Sequence, residues 1–429
     1  MQVVSCKLQV AGYLYTKPLT MLDLDFVRSR FPGLQSEWTF MDNAGGSQIL
    51  QPVIDRMNQF FTTSNVQLGA SYHPSDLATT RVAEAQRMLA QFINAADPGE
   101  VIMGSSTSML LRMLAMNLGR VFEPGDEIIV TNCDHEANIG GWRDMERWGM
   151  VIKTWKINPE TFTLELEDLS KLMTDKTRLV AFTHCSNILG TVNPAKKIVR
   201  FIHDHGAMAC IDAVAYAPHR KIDVQDLDTD FYVFSFYKTY GPHNALLYGK
   251  KEHLLRLPGN NHFFIGQDEI PYKFQSGHVN FEIAWGMTGL TDYIHELHLH
   301  HFGEGGDHDW PKASSRVYRL FQDHEHALTR ELLGFLSGYK NIQIIGSPLA
   351  DPELRVPTIS FVQKNTDSRS IVMKADKHLI GIRYGDFYAR RLIDELGLSK
   401  QNGVVRISLV HYNTLQEVQQ LMEVLKAIL

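Results

Sequence analysis

Lys238 follows directly on "DFYVFSFY", residues 230–237, a run so apolar and aromatic that an ammonium group beside it is costly to keep charged. An amine in such a place has its charged form disfavoured and is available as a nucleophile toward carbonyls, which is Schiff-base chemistry. A surface lysine in a turn is the plainer alternative. Asp212, in the short apolar stretch "MACIDAV", adds a carboxylate. There it either caps the following turn or holds a pyridine-type ring nitrogen protonated, which makes the ring an electron sink.

Chemistry of this kind needs a scaffold that presents both groups at one edge. Short apolar stretches such as "EVIMGSS", "DEIIVTNCDHEAN", "MVIKTWKI", "TRLVAFTHCSN", "MACIDAV" and "DFYVFSFYK" alternate with helical patterns such as "TSMLLRMLAMNLG", closed by Gly119, and "AKKIVRFIHDHG". The alternation predicts an α/β fold with a mainly parallel sheet covered on both faces. Ligands of such sheets gather beyond the carboxyl ends of the strands. The informative polar residues stand at those ends: Ser105 and Ser106, Asp134 and His135, Ser186 and Asn187, Asp212, Ser235 and Lys238. In "GSSTSMLL" the small residues open a helix, where free N–H groups and the positive end of the dipole favour an anion, although such sequences also serve as simple caps.

Composition narrows the function classes. The 429 residues, 44% hydrophobic and 21% charged, have room for two domains and a large core. A net charge of −6 without a dense Lys/Arg block argues against nucleic-acid binding. No apolar run approaches the ~20 residues of a membrane span, and the N-terminus lacks the basic region of a signal peptide. The four cysteines, Cys6, Cys133, Cys185 and Cys210, show no CxxC spacing, so a reduced, cytoplasmic setting is expected. Cys133 and Cys185 stand near His135 and Asn187, where a thiol either acts in a pocket or points into the core. "HELHLHH", followed by His308, invites a metal reading through His295 and His298. Without HExxH or a companion cysteine, an exposed polar helix explains it better and no metal is expected.

The stretch from Thr183 to Lys250, with the motifs above, resembles the class V, fold type I pyridoxal-phosphate (PLP) enzymes, in particular the cysteine desulfurase and selenocysteine lyase group and its desulfurase-like relatives. The resemblance covers roughly residues 38 to 429. It implies a mainly parallel seven-stranded sheet flanked by helices, with a smaller α+β C-terminal domain. It also implies that Lys238 holds PLP covalently and later moves protons at the substrate α-carbon. By the same resemblance Asp212 pairs with the ring nitrogen, His135 stacks on the ring and Asn187 lies near the ring hydroxyl. Ser105, Ser106, Ser235 and Tyr237 bind the phosphate. Arg406, in "VVRISLVHYNT", takes the substrate carboxylate, and Arg383, in "GIRYGDFY", lies near the substrate or forms a surface ion pair. "FQSGHVNFE" corresponds to a segment that crosses to the partner's phosphate, with His278 where a threonine is common, so a homodimer with shared sites is expected.

Two positions depart from the family pattern. Desulfurases that carry sulfur on their own persulfide use a cysteine in the segment that reads "RYGDFYARRL" here; Tyr388 stands near its place, and no cysteine follows Cys210. Ala215, in "DAVAYAPH", takes the place of a polar residue near the cofactor oxygen. The expected division is an N-terminal segment, 1–40, packed on the small domain, a PLP-binding domain over 41–290 and a small domain over 291–429. The expected activity is a PLP-dependent lyase that cleaves a C–S or C–Se bond in a cysteine-type amino acid. A class V aminotransferase or an epimerase is the enzymatic rival, and a non-catalytic PLP-fold subunit the third possibility.

Overall fold

The computed structural model describes residues 21–303 and 310–429. Its centre is a seven-stranded sheet built from β1 (Val101–Gly104), β2 (Glu127–Thr131), β3 (Val151–Trp155), β4 (Thr177–Thr183), β5 (Met208–Asp212), β6 (Phe231–Ser235) and β7 (Ala245–Gly249). The spatial order is β1-β7-β6-β5-β4-β2-β3, and only β7 runs against the rest. The expected mainly parallel sheet of seven strands is therefore present. All five residues of β6 and all five of β7 are buried, as strands covered on both faces must be. Two apolar clusters cover the faces: Val180, Phe182, Ile211 and Phe234 belong to one, Val130, Ala181, Cys210 and Val233 to the other.

A second, antiparallel sheet of β8 (Ile342–Ile345), β9 (Thr358–Gln363), β10 (Arg383–Gly385) and β11 (Val404–Ser408), in the order β10-β11-β9-β8, forms the smaller C-terminal α+β unit. The helix Leu415–Ile428, opened by a capping box between Thr414 and Glu417, lays Val418, Leu421 and Leu425 on this sheet. The long helix Trp310–Ser337 joins the two cores. Its Val317 and Phe321 pack with the large sheet, and its Leu328, Leu332 and Leu336 pack with the small one. Near the N-terminus, Thr39–Phe40 pairs in parallel with Ile380–Gly381, and Asp42 bridges to Ser408. Phe31 meets Tyr240, Tyr293 and Tyr412 edge-on.

The helix Gly289–Phe302, which carries "HELHLHH", is not the exposed polar helix expected. Leu290, Tyr293, Ile294, Leu297 and His298 are buried on it, while His300 bonds Asp23 at 2.9 Å. Among the described residues no group of three His, Cys, Asp or Glu could hold a metal; His308 lies outside them.

Candidate active site

The carboxyl ends of β1, β2, β4, β5 and β6 open into one cavity of about 210 Å³. Its lining includes Ser105, Ser106, His135, Asn187, Asp212, Ser235, Tyr237 and Lys238, residues drawn from distant parts of the chain. Five parallel strand ends along one edge of the sheet, four of them adjacent and the fifth, β1, across the antiparallel β7, are what bring them together.

Lys238 sits in the 3₁₀ turn Phe236–Lys238 that leaves β6. Burial, helped by the Arg406 charge and opposed by Asp212 and Asp42, pulls its amine down to about 8. About a tenth is therefore the free amine at pH 7, far more than for an ordinary lysine. Asp212, the last residue of β5, is buried, and its Oδ1 accepts a hydrogen bond from the Val214 N–H at 2.9 Å. Burial pushes its carboxyl up to about 6, against the pull of that bond and of Lys238. It is still mostly charged at pH 7, and a neighbouring cation, such as a protonated ring nitrogen, would favour the charged form further.

His135 follows β2 and precedes the helix Ala137–Arg143. Its Nδ1 accepts the Ala137 N–H at 3.1 Å, which leaves the ring proton on Nε2 in the neutral form. Burial and the charges of Lys238 and Arg406 depress it to about 4, so the ring is neutral at pH 7 and suited to lie on another flat ring. Behind it, Asp134 is fully buried, takes bonds from Thr131 and Asn138 side chains at 2.5 and 2.6 Å, and is raised to about 7, first by burial.

Asn187 stands in a turn that depends on Gly190, whose φ is +68° and where a Cβ would collide with the Thr358 carbonyl oxygen. Its amide donates to the Phe387 carbonyl at 2.9 Å, which ties the large domain to the small one. Ser106 caps the helix Thr107–Leu118, with its Oγ accepting the Met109 N–H at 3.2 Å. Ser105, Thr107 and Ser108 line the cavity beside it, and the buried Thr107 Oγ1 has no partner among the described residues. Ser235 Oγ reaches the Asn244 carbonyl only at 3.5 Å. The Tyr237 hydroxyl donates to the Gly45 carbonyl, while its ring stacks on His243 at 4.5 Å.

Three expected residues lie outside this cavity. His278 lines an adjoining cleft of about 520 Å³ that shares Ser105 and Asn244 with it, and its Nε2 meets the Tyr272 hydroxyl at 3.1 Å. Arg406 is buried and does not line the cavity, and Arg383 is exposed, 3.7 Å from Asp42. The sequence reading missed Thr107, Ser108, His243, Asn244, Asp42 and Phe387. Thr107 and Ser108 continue the run that begins at Ser105, and His243 and Asn244 lie just beyond "FYKTYGP", so a wider window around both motifs finds four of the six.

Burial decides between the two roles open to the thiols. Cys133 lies in the core, while Cys185 lines the cavity but is only 1% exposed, and burial holds its thiol protonated up to about 12.

The cavity suits PLP. It combines an acid for the ring nitrogen, an amine for the carbonyl, and a helix start with an orphaned buried hydroxyl for the phosphate. Fold and site together define a chain of the cysteine desulfurase architecture. With 25% identity and a TM-score of 0.83, it matches the apo cysteine desulfurase of Thermococcus onnurineus over 94% of this chain and 97% of that one. The class-V aminotransferase pattern matches residues 39–307 and 315–421, and the chain belongs to that family. Aminotransferase-like protein FGM3 of Gibberella zeae is 41% identical over 95% of this chain and 98% of its own length. Cysteine desulfurase-like protein ustD of Aspergillus flavus is 30% identical over 93% and 89%. Among the described residues no helix is long and apolar enough to cross a membrane.

Proposed function

We propose that this protein is a PLP-dependent enzyme acting on a small amino acid, and that it cleaves a C–S or C–Se bond in a cysteine-type substrate. The observation that carries the reading is the meeting of the Lys238 amine and the Asp212 carboxylate in one cavity. When bound, PLP supplies a ring that draws off the electron pair left at the substrate α-carbon. Asp212 keeps the ring nitrogen charged, and the neutral His135 ring covers the site. Lys238 removes the α-proton, a role its lowered basicity supports. Arg406 orients the substrate carboxylate.

The reading has the sulfur leave without passing through a protein persulfide, because Cys185 is held protonated and no cysteine follows Cys210. It includes a homodimer in which His278 serves the partner's phosphate end; light scattering of the purified protein tests that part. Turnover of L-cysteine and its analogues tests the rest. Sulfide released with pyruvate and ammonia supports bond cleavage by elimination, and alanine formed as an added thiol takes up the sulfur as its persulfide supports cleavage of the desulfurase type, whereas a keto acid with the cofactor left in its aminated form identifies the aminotransferase rival. A purified holoprotein that converts no amino acid overturns both.

A further inference from the structure

Arg406 is closed off from the cavity it is expected to serve. Its side chain is only 2% exposed. The Phe387 ring covers one face, with its centroid 3.7 Å from the guanidinium carbon. Nη1 donates to the Asn187 carbonyl at 3.1 Å, Nη2 donates to Asp42 Oδ1 at 2.7 Å, and Nε is buried without a partner among the described residues. Asp42 is more open, with 27% of its side chain exposed. Its second oxygen lies 3.7 Å from Nη1 of Arg383, whose side chain is 57% exposed. One carboxylate thus stands between two guanidiniums, hydrogen-bonded to the buried one and only loosely paired with the exposed one.

We propose that Asp42 is a specificity-determining residue: it occupies on Arg406 the position of a ligand's α-carboxylate and passes to Arg383 when an amino acid binds. The inference rests on the reading of Arg406 as the carboxylate-binding residue. Stripping a buried guanidinium of its counter-charge is strongly unfavourable, so a ligand that brings no carboxylate cannot displace Asp42. A ligand that brings one replaces the pair like for like. Arg383 lowers the cost of the exchange, because the displaced carboxylate keeps a cation within reach. Discrimination between an amino acid and the corresponding amine then comes from the exchange, in addition to any direct contact.

Titration of the holoenzyme with L-alanine and with ethylamine, read from the cofactor absorbance, tests this. Asp42→Asn keeps the shape and removes the competing charge, and it is expected to tighten L-alanine roughly five-fold while leaving ethylamine unchanged. Arg383→Ala, at an exposed position, is expected to weaken L-alanine by a similar factor, and to have no such effect in the Asp42→Asn background. Unchanged or weaker L-alanine binding by Asp42→Asn overturns the inference and makes Asp42 a mere support for Arg406. Arg406→Ala separates the two ideas: loss of the preference for L-alanine over ethylamine supports the carboxylate reading. Persistence of that preference overturns the reading, and the role of Asp42 with it.

Discussion

The guanidinium carbon of Arg406 lies over the Phe387 ring, 3.7 Å from its centroid, on a residue held at φ +51° and followed by Tyr388 at +60°. Two successive left-handed residues other than glycine are unfavourable by themselves, and neighbouring contacts hold them. The Phe387 carbonyl accepts from Asn187 at 2.9 Å, the Tyr388 carbonyl from the Glu136 N–H at 2.7 Å, and Asp386 Oδ1 from the Tyr388 N–H at 3.0 Å. The ring is thereby fixed as the surface on which Arg406 rests.

Phe387→Leu is therefore expected to raise KM for the amino acid about ten-fold, with kcat changed far less, because it removes a cation–π contact without touching the reacting atoms. Steady-state kinetics on the best substrate of the panel check this. An unchanged KM rules out a part for the ring in orienting Arg406.

Lys238 is expected to be the point of covalent attachment. Borohydride reduction of the holoenzyme followed by peptide mapping should label the peptide that contains it, and Lys238→Ala should lose the label and about a thousand-fold or more of turnover. In the cofactor-free protein the amine, lowered to about 8, should react with carbonyl reagents at a rate that rises through about pH 8, well below the range of ordinary lysines. A label on another lysine refutes the assignment.

The parts of this site that were legible in sequence are those set by local pattern. β5 and β6 read as continuous apolar runs because both faces are covered, so Asp212 and Lys238 stood out as polar interruptions at strand ends. The Arg406 environment was not legible. Asp42 and Arg406 meet across 364 positions, through the bridge between the N-terminal segment and β11, and no spacing encodes such a pair. The left-handed turn at Phe387 and Tyr388 was equally silent, since neither residue is the glycine or asparagine that marks such a backbone. The polar reading of "HELHLHH" failed for a similar reason: His298 is buried by tertiary packing, which a count of polar residues does not register.

Asp212 gives opposite signs for stability and function. Its folded-state pKa, raised from 3.8 to about 6 mainly by burial, means that the cofactor-free native state holds its proton more tightly than the unfolded chain. Stability accordingly falls as pH rises from about 4 through about 6, by at most ~3 kcal/mol for this one group. Asp212→Asn should remove that slope, leave the cofactor-free protein more stable at pH 7, and yet lower turnover of the holoenzyme by about a hundred-fold or more. Urea unfolding of both cofactor-free proteins across pH 4 to 7 reads the first effect, and kinetics the second. A variant less stable at pH 7 would mean that the Asp212 carboxylate has a stabilising partner in the absence of the cofactor.

Thr107 separates cofactor binding from folding in the same way. It opens the helix Thr107–Leu118, lines the cavity, and buries a hydroxyl that no described residue satisfies. An unsatisfied buried hydroxyl destabilises the cofactor-free state, whereas a phosphate oxygen at the helix start would supply the missing partner. Thr107→Val, close in shape, should therefore raise the stability of the cofactor-free protein by about 1 kcal/mol and weaken PLP about ten-fold or more. Thermal unfolding without cofactor and a PLP titration measure the two quantities. If PLP affinity is unchanged, the phosphate is held without the Thr107 hydroxyl; if stability falls along with affinity, the hydroxyl supports the helix and not the ligand.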